Sequence, residues 1–184
     1  MKPINAPRKA LTRLARGLPA SWYRDAKHHE KELNAFWYNN WIAVAREEEL
    51  IHPGDYRVVT LGSKSIVLLR AENHALRAYH NTCRHRGSIL CTEVQGHFKG
   101  QHITCPYHAW TYSLDGRLID TPRRMPTSDF EASNFSLFPV HVDSWGGYIF
   151  INLRKNKPPA LASALGELPS RFVRYGFENL RIGK

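Results

Sequence analysis

The sequence predicts a mainly β protein, built from small antiparallel sheets or a small barrel, with a helical segment at each end. Short runs of β-branched, aromatic and other apolar residues recur between turn signals from residue 41 to residue 153. Asp115-Gly116, between two of these runs, is typical of a β-hairpin. Near the C-terminus, by contrast, apolar residues recur at the spacing of one helical face: Leu161, Leu165, Leu168 and Phe172.

The individual elements follow from caps, turns and periodicity. Asp25 can cap a helix that extends to Trp37, with Leu33, Phe36 and Trp37 on one face. Strands are predicted where short apolar runs are bounded by turns, at residues 41–45, 56–61, 65–70, 76–80, 103–105, 111–114, 117–119, 140–142 and 147–153. Residues 125–136 are predicted to be irregular, and residues 160–175 to form a helix that Pro169 bends or divides.

A length of 184 residues is typical of about one domain, which we divide into four segments. Residues 1–17 are basic and lack the apolar block of a secretory signal, so they are predicted to form a flexible arm. The N-terminal helical segment covers residues 18–40, the β domain residues 41–157 and the C-terminal helical segment residues 158–184.

The net charge of +10 and the pI of about 9.8 allow two interpretations of the basic residues. These residues are scattered, and the sequence has no recognised nucleic-acid motif, so we expect no nucleic-acid partner. Solvated surface is the first interpretation, and a docking face for an acidic electron-transfer partner is the second.

Apolar runs and cysteine usage indicate the compartment. No apolar run approaches the roughly 18 residues that span a bilayer, so no membrane insertion is expected. The three cysteines are an odd number, which argues against a disulfide framework. Metal or thiol chemistry in a reducing, cytoplasmic compartment is therefore the expectation.

Two short segments carry the chemistry of the chain. Cys83-Arg84-His85 and Cys105-Pro106-Tyr107-His108 each supply one thiolate and one imidazole, and 19 residues separate His85 from Cys105. In a Rieske [2Fe–2S] centre one iron takes two Cys and the other two His, so each loop must contribute one ligand of each kind. A structural zinc site is the alternative, although a zinc finger usually pairs like ligands within each segment, which these two segments do not. The pattern predicts Cys83, His85, Cys105 and His108 as the ligands of a Rieske cluster.

The neighbours of these ligands are predicted to surround the cluster. Gly87 would let the backbone approach closely, and Arg86 lies in the same motif. Tyr107 and Trp110 can shield one side from water, although core packing explains them equally well.

Three further residues with metal-binding side chains are expected to play no part in the cluster. Cys91 lies outside both ligand segments and is interpreted as a small buried apolar residue. His97 and His102 have a spacing that could serve a mononuclear iron, but no carboxylate is spaced to complete a facial triad. A second metal at this pair is not expected.

At these residues the chain resembles the N-terminal part of Rieske non-haem iron oxygenases, the α subunits of aromatic-ring-hydroxylating dioxygenases and related enzymes. The matching segments are Leu18-Pro19-Ala20, residues 81–87, Leu90-Cys91, residues 105–112, residues 114–116, Pro139-Val140 and residues 147–153. The resemblance implies a Rieske fold with cluster-binding hairpin loops. Within the family, the chain is most similar to the branch that acts on quaternary amines such as choline, glycine betaine or carnitine.

The resemblance also implies an activity and partners. Family members are oxidoreductases that incorporate O2 as mono- or dioxygenases, receive electrons from a reductase or ferredoxin, and form homo-oligomers, often trimers. Their second domain holds mononuclear Fe(II) on two His and one carboxylate, and the second cluster histidine, here His108, connects through a carboxylate to the iron of a neighbouring subunit. The motif of that domain is not found before Lys184, so we expect a catalytically incomplete chain with no catalytic residue of its own.

Three functions are therefore weighed. The first is the electron-transfer domain of an oxygenase α subunit, and the helical segments that flank the β domain favour it. The second is a stand-alone Rieske ferredoxin, which would need neither helical segment. The third is a zinc-stabilised structural module.

Overall fold

The computed structural model describes residues 17–122 and 127–183. The predicted basic arm, apart from Gly17, lies outside these ranges, as do residues 125–126 of the predicted irregular region. Ten strands form within the described ranges, and their bounds are β1 Ile42–Arg46, β2 Asp55–Leu61, β3 Lys64–Arg70, β4 Leu76–His80, β5 Gln95–His97, β6 His102–Thr104, β7 Thr111–Ser113, β8 Leu118–Asp120, β9 His141–Trp145 and β10 Tyr148–Asn152.

These strands form three small antiparallel sheets, which confirms the predicted fold class. Sheet A has the order β1-β10-β9, sheet B the order β4-β3-β2-β5 and sheet C the order β6-β7-β8. The Asp115-Gly116 turn joins β7 to β8, as the hairpin signal predicts.

Strand β3 lies between two apolar cores because both of its faces are covered. Val67 and Leu69 belong to the core shared with sheet C and the two cysteine segments, whereas Ile66 and Leu68 belong to the core shared with sheet A. All four side chains are fully buried. A strand that is buried on both faces has a continuous apolar sequence rather than an alternating one, and Ile66-Val67-Leu68-Leu69 fits that pattern.

Strand β5 is a short edge strand that the sequence analysis missed. Gln95–His97 pairs with the start of β2, with Asp55 opposite His97. All three of its residues are exposed, and Gly96 lies against the Tyr56 ring, where a Cβ would come within 2.7 Å of the Tyr56 hydroxyl. A polar tripeptide with a central glycine carries no strand signal, so only its pairing with β2 reveals it.

The N-terminal helix begins as predicted and changes its pitch before it ends. The side chain of Asp25 accepts a hydrogen bond from the Lys27 backbone N–H at 2.9 Å and caps α1, Ala26–Glu32. Leu33–Trp37 continues as a π-helical turn. Phe36 is 54% exposed, so much of the predicted apolar face remains outside the cores.

The C-terminal segment forms two short helices, and the predicted break at Pro169 is misplaced. The helices are α2, Leu161–Leu165, and α3, Leu168–Phe172. Gly166 ends α2 with a φ of 55°, whereas Pro169 lies in the first turn of α3, where a proline is well tolerated. Proline lacks an N–H, and the first helical turn does not need that donor.

The end of the chain packs against sheet A through a buried arginine. Arg46 is 8% exposed and donates to the carbonyl oxygens of Gly146, Phe177 and Leu180. The Glu48 carboxylate accepts from the Ile182 backbone N–H at 2.8 Å. The C-terminal segment is thus held by side chains of β1 and of the turn that follows it. None of the helices in the described ranges is long and apolar enough to cross a membrane.

Candidate metal centre

The first cysteine segment forms a tight loop directly after β4. The Cys83 backbone N–H donates to the Ser88 carbonyl at 2.8 Å, and the Gly87 N–H donates to the Cys83 carbonyl at 3.0 Å. Gly87 has a φ of 75°, a conformation that glycine adopts without the cost that a Cβ brings. A Cβ at Gly87 would have no protein atom within 4 Å, so the backbone conformation is the visible reason for a glycine here.

The second cysteine segment is the tip of the β6–β7 hairpin and repeats the hydrogen bonds of the first. The Cys105 N–H donates to the Trp110 carbonyl at 2.9 Å, and the Ala109 N–H donates to the Cys105 carbonyl at 3.0 Å. Ala109 has a φ of 58°, although it is not a glycine. The two loops therefore place their cysteines at equivalent positions of the same backbone frame.

The two cysteines meet in the interior between sheets B and C. Cys83 and Cys105 are each 2% exposed and belong to the same core. Burial raises the pKa of the Cys83 thiol, and the nearby Cys105 adds to the rise. The Tyr112 hydroxyl lies 3.2 Å from the Cys83 Sγ and also accepts from the Arg84 backbone N–H at 3.1 Å. Tyr112 lies on β7, which follows the second loop, and it contacts Cys83 in the first loop.

The two histidines of the motif meet on the outer side of the cysteines. The ring centroids of His85 and His108 lie 4.8 Å apart. His85 stacks on Trp110 at 4.6 Å with an interplanar angle of 11°, and the Tyr107 ring lies 3.8 Å from His108. Burial lowers the pKa of His85, and the charges of His108 and Arg86 lower it further. The neutral imidazole that a metal ion requires is therefore favoured at His85.

One buried atom in this group lacks a partner. The Nδ1 atom of His85 is buried and has no hydrogen-bond partner among the described residues. A buried polar atom without a partner costs free energy, and a metal ion bound there would remove that cost. The residues present therefore fit a metal centre.

The four side chains form two like pairs. Within residues 17–122 and 127–183, no three or more Cys, His, Asp or Glu side chains are grouped to hold one ion. Two like pairs side by side, Cys83 with Cys105 and His85 with His108, are what a cluster with two Cys on one iron and two His on the other requires.

The predicted neighbours of the ligands surround an open cavity of about 550 Å³. Its lining includes Arg86, Pro106 and Tyr107 beside the two histidines. Tyr107 is 62% exposed, so it covers the His108 ring rather than closing the site. Trp110 is 7% exposed and lies against the core side of His85.

Asn81 holds the first loop together, and the sequence analysis missed it. Its side chain is 1% exposed, accepts from the backbone N–H groups of Leu90 and Cys91, and donates to the Cys91 carbonyl and the Ser65 hydroxyl. These bonds connect the two ends of the loop. The position of Asn81, two residues before Cys83, does not indicate this role until the fold shows that Leu90 and Cys91 return to it.

Arg84 and two phenylalanines connect the ligands to the segment that was predicted to be irregular. The Arg84 guanidinium donates to the carbonyls of Ser136 and Asn134. Phe130 and Phe135 stack on each other at 4.8 Å, and both rings contact Trp110 edge to face. The segment is irregular in backbone, yet it supplies the wall behind Trp110.

Cys91, His97 and His102 lie outside the two ligand pairs. Cys91 is 6% exposed, which confirms a buried thiol, and burial raises its pKa to about 12. The Nδ1 of His97 lies 2.9 Å from the Asp55 carboxylate, and the Nδ1 of His102 lies 2.7 Å from the Gly100 carbonyl.

Comparison with known proteins decides the family. The model of the Rieske [2Fe-2S] domain family matches residues 40–135, slightly more than half of the chain. The chain belongs to the Rieske [2Fe-2S] domain family. The two cysteine–histidine loops of this Rieske domain lie inside the matched range, and a [2Fe–2S] cluster is the cofactor of the family.

Relatives of this Rieske domain are oxygenase subunits. The glycine betaine monooxygenase oxygenase subunit of Pseudomonas aeruginosa is 33% identical over 186 residues, which cover 98% of this chain and 42% of the relative. The carnitine monooxygenase oxygenase subunit of Escherichia coli is 36% identical over 140 residues, which cover 76% of this chain and 37% of the relative. The chain spans less than half the length of these curated relatives.

A solved structure confirms the fold. The crystal structure of the quaternary ammonium Rieske monooxygenase CntA with gamma-butyrobetaine superposes with a TM-score of 0.83 and 32% identity. The match covers 91% of this chain and 48% of that chain. The three small sheets of the present structure thus have the arrangement of the Rieske domain in that structure.

Proposed function

We propose that this chain is the electron-transferring Rieske domain of a quaternary-ammonium monooxygenase oxygenase subunit. Cys83 and Cys105 would bind one iron of the [2Fe–2S] cluster, and His85 and His108 the other. The observation that carries the proposal is the pairing of like ligands from two loops with the same backbone frame, together with the unpartnered Nδ1 of His85.

The chemistry of the four side chains suits this task. Two thiolates bring a core of two ferric ions and two sulfides to zero charge, and an electron is added more easily to a neutral centre than to a dianion. When bound, such a cluster supplies a one-electron centre with a potential of roughly −150 to +300 mV. The protein would hold the thiolates in the dry core and the imidazoles at the rim, where His85 rests on Trp110.

The proposed partners come from the relatives. Oxygenase subunits that are named for glycine betaine and carnitine support a quaternary amine as the substrate of the whole protein. A reductase or ferredoxin would donate the electrons, and a mononuclear Fe(II) outside residues 1–184 would receive them. A homotrimer is the proposed assembly of the whole protein.

The match to the relatives also supports an oxygenase domain over a stand-alone ferredoxin. The similarity to the glycine betaine relative covers 98% of this chain, so it includes the helical segments on both sides of the β domain. The C-terminal segment forms hydrogen bonds with the side chains of Arg46 and Glu48. It therefore packs as part of the same domain.

The cysteines test the ligand assignment directly. Cys83→Ser and Cys105→Ala are each expected to abolish the visible absorption and the electron paramagnetic resonance signal of the reduced cluster. Cys91→Ala is the matched control, since Cys91 is equally buried and contributes only packing. That variant should keep both signals and two irons and two sulfides per chain.

The histidines are tested in the same way. His85→Ala and His108→Ala should each remove the spectrum, whereas His97→Ala should keep it. Zinc without sulfide in the purified protein, or a full cluster spectrum in any of the four ligand variants, would contradict the assignment.

A further inference from the structure

A basic pocket lies beside the first cysteine segment, which we call the first cluster loop, and it takes no part in holding the candidate ligands. Its volume is about 780 Å³, and it opens where the start of β3, the end of β4 and the chain after β10 come together. We call it the basic pocket and define it by its three cationic side chains, Lys64, Arg154 and Lys155.

The charge of this pocket is not neutralised within the described part of the chain. None of the three cationic side chains forms an ion pair with any residue in 17–122 or 127–183, and no carboxylate lines the pocket. All three are exposed to solvent. His80 also lines the pocket, where burial and then the charge of Lys64 lower its pKa, so it stays neutral at pH 7. The pocket therefore presents positive charge that no carboxylate in the described part of the chain balances.

The wall of the pocket is bonded to the cluster loop. Ser65 lines the pocket, and its carbonyl accepts from the Asn81 N–H at 2.9 Å while its hydroxyl accepts from the Asn81 side chain at 3.1 Å. Thr82 lines the pocket as well and is joined by one peptide bond to Cys83. A molecule bound here lies next to the backbone that carries a candidate ligand.

We infer that the basic pocket is the docking site of an acidic electron-donor protein, whose Asp or Glu side chains pair with Lys64, Arg154 and Lys155. The inference rests on the proposed function, because only an electron-accepting domain needs such a donor. One electron leaves the donor and reduces the oxidised cluster, and no covalent bond forms or breaks.

Charge complementarity and distance support this occupant. A protein with a net charge of +10 attracts an acidic partner, and opposite charges at the docking site raise the rate of encounter. Electron-transfer rates fall steeply with distance, so a donor gains from docking beside the Cys83 loop. Lys64, Arg154 and Lys155 are all exposed, so the carboxylates of a docked protein can reach them.

Rapid mixing of the cluster-loaded protein with a reduced, acidic plant-type [2Fe–2S] ferredoxin tests the inference. The pocket variant is Lys64→Gln, Arg154→Gln and Lys155→Gln combined. The matched control is Arg24→Gln, Lys27→Gln and Lys31→Gln combined, which removes the same charge from the exposed N-terminal segment. Visible spectra are taken before mixing. A wild type without a cluster spectrum would count against the proposed function, whereas a pocket variant that alone has lost the spectrum would overturn the inference, because the pocket would then serve the fold of the neighbouring loop.

The expected result is a rate constant for cluster reduction that falls at least ~10-fold in the pocket variant at low salt, within the range that steering charges produce. The control should lose less than about 3-fold, and the salt dependence of the pocket variant should be shallower. Equal losses in the two variants, or no loss, would overturn the inference. So would a pocket variant with a changed oligomeric state by sedimentation, since the pocket would then join copies of the chain.

A competition arm separates a protein carboxylate from a small anion. At constant ionic strength, an octaglutamate peptide should slow cluster reduction in the wild type and have no effect in the pocket variant. If inorganic phosphate protects the pocket lysines from acetylation while octaglutamate neither protects them nor slows reduction, the pocket is a small-anion site and the inference is wrong.

Discussion

The two cluster loops share a backbone frame and differ in what supports it. In both, the cysteine N–H donates to the carbonyl five residues later, and the cysteine carbonyl accepts from the N–H four residues later. The fourth residue after the cysteine has a positive φ in both loops: it is Gly87 in the first loop and Ala109 in the second. The two histidines sit at different offsets from their cysteines, yet both reach the same rim of the site.

The supports reflect where each loop lies. The second loop closes a hairpin, so β6 and β7 hold its ends by sheet hydrogen bonds and Trp110 packs beneath its tip. The first loop leaves the sheet after β4 and has no partner strand, so the Asn81 side chain connects its ends instead. The same ligand frame is thus held by a buried polar residue on one side and by a sheet with aromatic packing on the other.

Removing the aromatic support should have the largest effect. Trp110→Ala leaves a void among His85, Phe130 and Phe135, and the expected loss in the free energy of unfolding is about 3–5 kcal/mol. Trp110→Phe keeps part of the packing and should lose less. Urea denaturation of both variants measures the difference. A loss below about 1 kcal/mol for Trp110→Ala would show that the packing of Trp110 against Phe130 and Phe135 contributes little to the free energy of unfolding.

Removing the polar support should cost slightly less and act locally. Asn81→Ala leaves the Leu90 and Cys91 amides and the Cys91 carbonyl without partners in the interior, for an expected loss of about 2–4 kcal/mol. Hydrogen exchange should accelerate at the Leu90 and Cys91 amides and remain unchanged at Ala109. Equal acceleration in both loops would mean that the loops do not have separate supports.

The residue that connects the two loops should have a smaller effect on stability and a clear effect on redox behaviour. Tyr112→Phe removes the contact with the Cys83 Sγ and the acceptor of the Arg84 N–H, for an expected loss of about 1–2 kcal/mol. The reduction potential should fall, because hydrogen bonds to cluster sulfurs stabilise the reduced state. Potentiometric titration measures the shift, and an unchanged potential would indicate that the hydroxyl only positions the backbone.

Exchanging the residues of positive φ should have the smallest effects, with opposite signs. Ala109→Gly should stabilise the protein by about 0.5 kcal/mol, because relief of the left-handed strain outweighs the added freedom of the unfolded chain. Gly87→Ala should destabilise it by about 1 kcal/mol for the converse reason, since space is not limiting there. Thermal unfolding of the two variants gives both signs, and shifts in the same direction would contradict the shared frame.

Three of the four strands of sheet B could be predicted closely because their signals are local. Strand β4 has the predicted bounds, and β2 and β3 each begin one residue earlier than predicted. Turns with Gly54 and Gly62 bound β2, and the polar turn at residues 71–74 separates β3 from β4. Such signals lie within a few residues of the elements that they end. The break in the C-terminal helix was misplaced because proline is tolerated in a first helical turn, and Gly166 was the stronger terminator.

The supports of the site could not be predicted, because each depends on a partner that is distant in the sequence. The partner of Arg84 is Ser136, and that of Trp110 is Phe130 and Phe135, in a segment with no periodicity. The bonds of Asn81 require both ends of the loop to be in place. No local pattern encodes such contacts, since they form only when segments that are distant in the sequence meet in the folded chain.

By itself, the sequence determined the kinds of ligand and their spacing, and therefore the type of cluster that the chain could hold. Ligand chemistry is a property of side chains, so Cys83, His85, Cys105 and His108 are recognisable as candidate ligands without a fold. Only the tertiary structure decided that like side chains meet, that Tyr112 contacts the first cysteine, and that basic side chains from β3 and from the chain after β10 gather beside the same loop. These are relations between strands, and the approach of the three sheets creates them.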